Sequence, residues 1–398
     1  MILVDIIQIL LIAIIGPILM YQTFLGLIAF RAKLIKEFDQ KNDTRFAIII
    51  PAHNEEKMIA KTIYSINGVI YPQTKYDVFV IADNCDDNTA QISRNLGVNV
   101  LERTDTTKRG KGYALRWAFD KLIAEYDEYD AFVVIDSDSL ISGNYLNVMS
   151  HYIKNGSRVI QSSDLVLPQK NNWSSEATRI GFILFNYVRP LGRKFLGFDM
   201  GLRGNGMCFT KEVLTKVPWQ SYALTEDLEY GLILLLKGER IHFAPEATVW
   251  AHMPLKSDNA KSQRERWEQG RKDITRSYSS IFLKESFKKR SLAFFDVFID
   301  LITPPFVNTM LIISTLFMIT IVLSLIVPLN NLYMFIWGTL LLIGFIHLLL
   351  GLKLVHADRD LYKSVLYIPI YVIWKVKVII KSLFTDKPKT WVRTSRES

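Results

Sequence analysis

Long apolar runs near the two ends of the chain enclose a centre in which short apolar and polar stretches alternate. Residues 6–30 carry almost no charge, and two further apolar runs cover residues 306–327 and 332–352. Each run is long enough to cross the hydrocarbon core of a bilayer as a helix. The pattern therefore predicts one transmembrane helix within residues 1–31 and a transmembrane hairpin within residues 306–352.

Two of the apolar segments have a second interpretation. The first could be a cleaved signal peptide, but it lacks a charged amino-terminal region and is too long. The segment 361–384 could be a fourth span, but its uncharged core covers only residues 364–374 and four lysines interrupt it. We expect this segment to lie in the headgroup plane, within an interfacial helix and basic tail that occupy residues 361–398.

The net charge of +9 is concentrated beside the apolar segments. Residues 256–290 carry eleven Lys and Arg against five Asp and Glu, and residues 375–398 carry seven against two. Because basic residues mark the cytoplasmic ends of spans, we expect a multi-pass plasma-membrane protein whose centre faces the cytoplasm. We also expect amphipathic helices at 256–300 that meet anionic lipid headgroups, and no nucleic-acid partner. The two cysteines lack metal-type spacing, which agrees with a reducing compartment.

The centre, residues 45–255, alternates strand patterns with helix patterns. Strands are predicted at 46–50, where Pro51 ends the run, and at 78–82, 98–101 and 131–135. Helices are predicted at 57–66, from residue 89, at 112–124 and at 228–237. This alternation is typical of the α/β class with a mostly parallel sheet. Ligands of such sheets bind beyond the carboxyl ends of the strands.

Polar residues follow three of the predicted strands. Glu55 comes after the first, Asp83 ends the second, and Asp136 and Asp138 follow the strand at 131–135. Two carboxylates one residue apart at a buried strand end suit Mg²⁺ or Mn²⁺. Such an ion would stabilise a nucleoside diphosphate as it leaves. The alternative is that these acids only lie in turns or cap helices, with Asn54 as the cap of the first helix.

Two further motifs precede predicted helices. The loop at residues 108–112, with Lys111 between two glycines, suits phosphate contact, although it could be a solvated basic loop. It does not have P-loop spacing, and no GxGxxG follows the first strand, which disfavours a dinucleotide-binding enzyme. In Thr225-Glu226-Asp227, Asp227 could act as the general base that deprotonates a sugar hydroxyl; the alternative is that Thr225 or Asp227 caps the following helix.

In this order the motifs resemble family 2 glycosyltransferases of the GT-A fold, in the membrane-integrated branch that contains cellulose, hyaluronan and poly-N-acetylglucosamine synthases. The resemblance covers roughly residues 45–275. The matching residues are Pro51-Ala52-His53-Asn54-Glu55, Asp83, Gly110-Lys111-Gly112, Asp136-Ser137-Asp138, Thr225-Glu226-Asp227 and Gln263-Arg264-Glu265-Arg266-Trp267. The last of these matches the Q-x-x-R-W pattern of the branch.

The resemblance implies a GT-A catalytic domain, a UDP-sugar donor, Mg²⁺ or Mn²⁺, and inversion at the anomeric carbon in one displacement. It also implies roles for single residues. Those roles are donor nucleotide binding by Ala52, Glu55, Asp83, Lys111 and Asp136, metal binding by Asp136 and Asp138, base catalysis by Asp227, and diphosphate or acceptor contact by Glu226, Gln263, Arg266 and Trp267. Residues 203–206 fall where the family lines its acceptor site.

The membrane part departs from the polymer synthases, because three spans and an interfacial helix are few for a secretion channel. The favoured acceptor is a growing polysaccharide, and the alternative is a polyprenyl phosphate or another lipid-linked sugar. A homo-oligomer is a further expectation, since a dimer could complete a pore. The competing hypothesis is that the protein is not an enzyme but a membrane subunit with a degenerate transferase domain. This hypothesis is disfavoured because no catalytic-type carboxylate is missing.

Overall fold

The computed structural model describes residues 2–38, 43–168, 173–252 and 257–367. Contacts divide these residues into two compact units. The first, the helical unit, comprises the described residues within 1–32, 168–197 and 299–387. The second, the sheet unit, comprises those within 33–167 and 198–298. All residues of the candidate site belong to the sheet unit.

The strands are β1 (Phe46–Ala52), β2 (Tyr76–Asp83), β3 (Asn99–Arg103), β4 (Ala131–Val134), β5 (Ser139–Ile141), β6 (Val159–Val166), β7 (Met207–Thr210) and β8 (Ile241–Ala251). The helices are α1 (Ile2–Ala29), α2 (Ile59–Asn67), α3 (Thr89–Asn95), α4 (Lys111–Glu125), α5 (Tyr145–Lys154), α6 (Trp173–Ile183), α7 (Arg189–Phe195), α8 (Lys211–Lys216), α9 (Glu226–Leu236), α10 (Ser257–Lys288), α11 (Leu292–Ile302), α12 (Phe306–Ile326), α13 (Asn331–Leu354) and α14 (Arg359–Ser364). A π-helical turn at Leu184–Val188 joins α6 to α7.

One eight-stranded sheet, in the order β3-β2-β1-β4-β7-β6-β8-β5, forms the sheet unit. Strands β3, β2, β1 and β4 are parallel, β7 is antiparallel to both β4 and β6, and β6 is parallel to β8. The predicted α/β class is confirmed. The predicted strands and helices before residue 138 are present with shifted ends, whereas β5 to β8 were not predicted.

The first predicted strand does not end at Pro51, because β1 continues through it to Ala52. The ladder between β1 and β4 ends at the pair Ile49 and Val134. The backbone polar groups of Ile49 point towards β4, since its carbonyl accepts from the backbone N–H of Ile135. The backbone nitrogen of Pro51, two residues later, lies on the same side of the strand. A proline can therefore extend the strand there, because no ladder bond requires its missing N–H.

The core of the sheet unit surrounds the central parallel strands. Phe46, Ile48, Ile50, Val80 and Val133 are all fully buried. Parallel strands buried on both faces give continuous apolar runs rather than alternating ones. This explains why the runs at 46–50, 78–82 and 131–135 were visible in the sequence.

Three helices of the helical unit are long and apolar enough to cross a membrane, namely α1, α12 and α13, with mean hydropathies of 2.7, 2.5 and 2.2. Hydrogen bonds between buried side chains join them. Gln8 Nε2 on α1 donates to Thr320 Oγ1 on α12 at 3.0 Å, and Trp337 Nε1 on α13 donates to Gln8 Oε1 at 2.8 Å. Polar pairs of this kind hold apolar helices together where water is absent.

The predicted interfacial helix at 361–384 is described only in part. Helix α14 ends at Ser364 and a 3-10 turn follows at Val365–Tyr367. The rest of that prediction, with the tail to residue 398, lies outside the described residues. The region predicted to form amphipathic helices, 256–300, is covered by α10 and most of α11.

Candidate active site

The site lies at the carboxyl ends of the parallel strands, as the strand pattern predicted. Asp136 and Asp138 follow β4 directly. Residues 203–206 lead into β7, and the side chain of Asn205 accepts from the backbone N–H of Asp136 at 3.1 Å. The loop before β7 is thus fixed to the loop after β4. Both line one crevice, although residues 136 and 205 are far apart in the chain.

Lys111 is the first residue of α4, and its ammonium joins the two loops. Its Nζ donates to Asp136 Oδ1 and to the carbonyl of Gly204, the latter at 2.6 Å. Burial would lower the pKa of Lys111, but the carboxylates of Asp136, Glu226 and Asp227 outweigh it and raise the pKa above its usual value. Lys111 is therefore a permanent positive charge in the crevice.

Gly204 brings the predicted base to the same point. Its backbone has φ +80°, a conformation that favours glycine, and a β-carbon there would lie 3.1 Å from Asp227 Oδ2 and 3.7 Å from Lys111 Nζ. The carboxylate of Asp227 therefore packs against the backbone of Gly204, beside the ammonium that holds Asp136. The structure brings Lys111, Asp136 and Asp227 together.

Asp227 and Glu226 occupy the first turn of α9, which begins two residues before the predicted helix. Thr225 takes the N-cap position but makes no side-chain cap hydrogen bond. Burial raises the pKa of Glu226 to about 7, with the charge of Asp227 adding to the effect. Burial also raises the pKa of Asp227, although backbone N–H groups of the first turn and Lys111 oppose it. A carboxylate with a raised pKa is a stronger base than an exposed aspartate.

The Q-x-x-R-W residues lie on α10, which packs against the start of α9. A β-carbon on Gly270 would lie 2.6 Å from Thr225 Cγ2. Arg266, one turn before Gly270, lies on the same face of the helix. Its positive charge opposes part of the increase that burial causes in the pKa of Glu226. Gln263 and Trp267 are half-buried on the same helix. Arg266 thus lies near Glu226, in the first turn of α9.

The predicted metal ligands differ in exposure. The side chain of Asp136 is 36% exposed and carries the ion pair with Lys111, whereas Asp138 is 5% exposed. The ring Nδ1 of His252 lies 2.8 Å from the backbone carbonyl oxygen of Asp138, so this imidazole packs against the backbone that follows β4. Within the part of the chain that the structure describes, no three His, Cys, Asp or Glu side chains form a ready metal cluster. The two carboxylates nevertheless fit the oxygen ligands that Mn²⁺ and Mg²⁺ take from proteins.

The residues predicted at the nucleobase lie at the tips of β1 and β2. Asp83 is 6% exposed, and Arg103 Nη1 donates to its Oδ1 at 2.5 Å. Burial raises the pKa of Asp83, and Arg103 offsets part of the increase. Arg103 also donates to the carbonyl of Lys108 at 2.8 Å, so it ties Asp83 to the loop that leads to Lys111.

The first loop, after β1, is joined to the second, after β2. Ala52 is buried at the end of β1, and the backbone N–H of Glu55 donates to Thr89 Oγ1 at 2.7 Å. The alternative interpretation of Asn54 as a helix cap is wrong. Its side chain instead exchanges hydrogen bonds with Asp86, and α2 begins only at Ile59.

Sequence reasoning missed two residues of the site, which are His252, just after β8, and Asp164, near the carboxyl end of β6. Asn205 lies within the predicted stretch 203–206, but its contact with the loop after β4 was not predicted. Asp164 is 6% exposed and receives a hydrogen bond from Asn205 Nδ2 at 3.4 Å. The polar run of β6 gave no strand signal, so the sequence offered no reason to place Asp164 at a strand tip.

The sheet unit has parallel central strands with acids at their carboxyl ends. A lysine begins one helix beside these acids, and an acid lies in the first turn of another. Together these features define the class of GT-A glycosyltransferase domains. The profile of the family described as "Glycosyltransferase like family 2" matches residues 44–270, more than half of the chain. The chain belongs to this family, which uses nucleotide-sugar donors.

Relatives and solved structures agree with the fold. The chain is 24% identical over 276 residues to the "Probable glycosyltransferase YdaM" of Bacillus subtilis (strain 168), covering 65% of this chain and 62% of that protein. It is 24% identical over 238 residues to the poly-beta-1,6-N-acetyl-D-glucosamine synthase of Staphylococcus aureus (strain COL), covering 57% and 54%. The matched part thus spans less than two thirds of these relatives. The mannosyltransferase PcManGT from Pyrobaculum calidifontis, solved with GDP-Man and Mn²⁺, has the same fold, with a TM-score of 0.56, 15% identity, and coverage of 87% of this chain and 97% of that one.

Proposed function

We propose that this protein is a metal-dependent, inverting membrane glycosyltransferase that transfers a sugar from a UDP-sugar to a growing polysaccharide. The observation that carries the proposal is the meeting of Lys111, Asp136 and Asp227 at Gly204. A fixed positive charge and a basic carboxylate that lie close to one another suit a displacement at an anomeric carbon. The first stabilises the leaving diphosphate and the second activates the attacking hydroxyl.

In the proposed reaction, Asp227 accepts the proton of an acceptor hydroxyl while that oxygen forms a bond to the anomeric carbon. The bond between this carbon and the diphosphate oxygen breaks on the opposite face, so the configuration inverts. The electron pair of the broken bond remains on the diphosphate, next to the ammonium of Lys111. The raised pKa of Asp227 favours the proton transfer, and its place beside Gly204 orients it.

A divalent ion, when bound, would add positive charge at the leaving diphosphate. Asp136 and Asp138 are the residues proposed to hold it, with His252 as a neighbouring donor. Lys111 pairs with Asp136, so cation binding would require this ion pair to open or to share the carboxylate. The GDP-Man and Mn²⁺ in the PcManGT structure support a divalent ion in this fold.

The acceptor has two candidates. The similarity to a poly-beta-1,6-N-acetyl-D-glucosamine synthase supports a polysaccharide. The similarity to the beta-monoglucosyldiacylglycerol synthase of Trichormus variabilis, 24% identical over 245 residues, supports the lipid-linked alternative, as does the small number of candidate spans. We favour the polysaccharide because of the Q-x-x-R-W match on α10.

Three apolar helices support membrane association. We propose that they anchor the protein in the plasma membrane with the sheet unit in the cytoplasm, where nucleotide sugars are made. The basic residues between 256 and 290 would then meet anionic headgroups.

The proposal is tested with the full chain purified in detergent or nanodiscs. Release of the nucleoside diphosphate is measured, as UDP from UDP-glucose, UDP-galactose and UDP-N-acetylglucosamine and, for comparison, as GDP from GDP-mannose, with Mn²⁺ and then with EDTA. We expect turnover of one UDP-sugar that EDTA abolishes and Mn²⁺ restores. Turnover of none of the three UDP-sugars in membranes that supply both acceptor types would contradict the proposal. Radiolabelled products separate the acceptors, because a ladder indicates a polymer and a single organic-soluble product indicates a lipid.

A further inference from the structure

Strand β6 brings a further carboxylate to the crevice, in addition to those at the ends of β1, β2 and β4. We propose that Asp164 is a specificity-determining residue that hydrogen-bonds a hydroxyl group of the donor sugar. This inference rests on the proposed function and names a recognition group for its donor.

Sheet register places Asp164 at the same edge as the other carboxylates. Val134 of β4 pairs with Met207 of β7, and Met207 pairs with Gln161 of β6, so these three residues lie at one level of the sheet. Because β7 is antiparallel to both neighbours, β6 runs in the same direction as β4. Asp164, three residues beyond Gln161, therefore lies at the same edge of the sheet as Asp136, two residues beyond Val134.

The side chain of Asn205 links Asp164 to the loop after β4. Its Nδ2 donates to Ser139 Oγ at 2.9 Å and to Asp164 Oδ1 at 3.4 Å, while its Oδ1 accepts from the backbone N–H of Asp136. One amide thus fixes the position of Asp164 relative to the proposed metal and diphosphate site. Asp164 is part of the same wall as Asp136, rather than of a separate polar cluster.

The loop before β7 is held rigidly over β6, which makes this wall preorganised. Gln161 Nε2 donates to the carbonyl of Asn205 at 2.7 Å, and Gln161 Oε1 accepts from the backbone N–H of Arg203 at 2.8 Å. A β-carbon on Gly206 would overlap Ser162 Oγ, so only glycine allows this close approach. A binding group on such a support keeps its geometry when a substrate enters.

Charges around Asp164 indicate which substrate it meets. Burial and the charge of Asp136 raise the pKa of Asp164 well above its usual range, and Lys111 opposes them. Its strongest charged neighbours are therefore the groups assigned to the diphosphate, to which the donor sugar is directly bonded. The carboxyl group of Asp164 offers acceptor oxygens, which complement the O–H donor of a sugar hydroxyl.

The test compares discrimination between donors in the wild type and in Asp164→Ala. After the UDP-sugar used by the wild type is known, kcat/KM is measured for that donor and for its analogues that lack one hydroxyl each. A buried group that pairs with a hydroxyl rejects the analogue without it, so we expect the wild type to discriminate against one analogue by at least about 30-fold. Asp164→Ala should reduce this ratio to about threefold or less, and Asp164→Asn should restore part of it.

The control variant is Asp199→Ala. Asp199 is also buried and accepts from Arg240 Nε at 3.0 Å, at the opposite edge of the sheet, where β8 begins. It should lose stability without any change in the ratio. If Asp164→Ala does not fold, Asp164→Ser replaces it, because a serine retains a hydroxyl towards Asn205 but is too short to reach the sugar.

Two results would overturn the inference while leaving the proposed function intact. One is the same ratio for every analogue in the wild type and the variant. The other is an unchanged ratio with a higher Mn²⁺ concentration for half-maximal rate, which would make Asp164 part of the cation site. Absence of turnover by the wild type with every donor would instead reject the proposed function, and this inference with it.

Discussion

Replacing Gly204 by alanine tests how closely the base is positioned. The added β-carbon would lie 3.1 Å from Asp227 Oδ2 and 3.4 Å from Asp227 Cγ, which is tighter than ordinary van der Waals contact. The carboxylate must therefore shift by a few tenths of an ångström. The backbone at φ +80° adds strain, because a side chain in the left-handed region costs about 1–2 kcal/mol.

Gly97 is a matched control for the strain. It has φ +78°, and no atom lies within 4 Å of the position that an added β-carbon would take, so Gly97→Ala carries the backbone cost without the contact. Both variants should lose a similar amount of stability, about 1–2 kcal/mol, and show similar decreases in Tm. Only Gly204→Ala should lose activity. Since misplacing reacting groups by about 1 Å costs roughly 100-fold, a shift of a few tenths should lower kcat by roughly tenfold.

The assay measures kcat for UDP release at saturating donor, together with Tm from a thermal unfolding scan of the same preparations. Comparing the two variants separates the strain from the displacement of Asp227. Equal kcat values for Gly204→Ala and Gly97→Ala, at similar Tm, would refute the reasoning that Asp227 acts from its place against Gly204.

Three further predictions concern other parts of the chain. Gln8→Leu removes the hydrogen bonds between the candidate spans and should lower the stability of the folded protein by about 0.6–1.7 kcal/mol. The Tm should fall while kcat per folded molecule stays the same, and an unchanged Tm would contradict this prediction. The pKa of Glu226 is about 7 in the folded protein against an ordinary 4.5, so the folded state holds this proton more tightly and stability should fall as pH rises from about 4.5 to about 7. Glu226→Gln should flatten this part of the Tm–pH curve. The same slope in the variant and the wild type would contradict this prediction. Arg103→Lys keeps the charge but cannot bridge Asp83 and the next loop, so KM for the donor should rise at least about fivefold and kcat should change less. The control Arg94→Lys changes an exposed ion pair and should leave KM unchanged. Equal KM values in the two variants would contradict a role for the bridge.

Strand-tip residues could be predicted because parallel strands impose a simple geometry. Apolar runs without alternation mark strands that are buried on both faces, and their carboxyl ends meet at one edge. Asp83 and Asp136 follow directly from that rule. Lys111 and Asp227 required the loop and helix patterns in addition, and the structure places both beside Asp136 or Gly204.

Residues contributed by the second half of the sheet could not be predicted in the same way. Strand β7 enters the sheet antiparallel between β4 and β6, and this order depends on contacts between residues far apart in the chain. Asp164 and His252 reach the crevice only through that order. Buried polar side chains of β6, such as Gln161 and Asp164, form hydrogen bonds with Asn205, which is distant in the chain, so the sequence pattern alone resembles a loop.

The partner of Asp83 shows another limit of sequence reasoning. The sequence predicts an acid at the tip of β2 but not the arginine, twenty residues later, that occupies one of its oxygens. The register between β2 and β3 places the two side by side, since Asp83 pairs with Arg103 in the ladder. Such a pairing depends on a one-residue register that periodicity does not determine.

The most direct test of the central claim is the turnover of Asp227→Asn compared with that of Asp120→Asn. Asp120 lies on the exposed face of α4, where it pairs with Arg116, and its substitution should leave turnover unchanged. If Asp227 is the base beside the leaving diphosphate, Asp227→Asn should bind UDP as the wild type does but release it from the donor at least about 100-fold more slowly. Turnover of Asp227→Asn within twofold of the wild type would contradict the account.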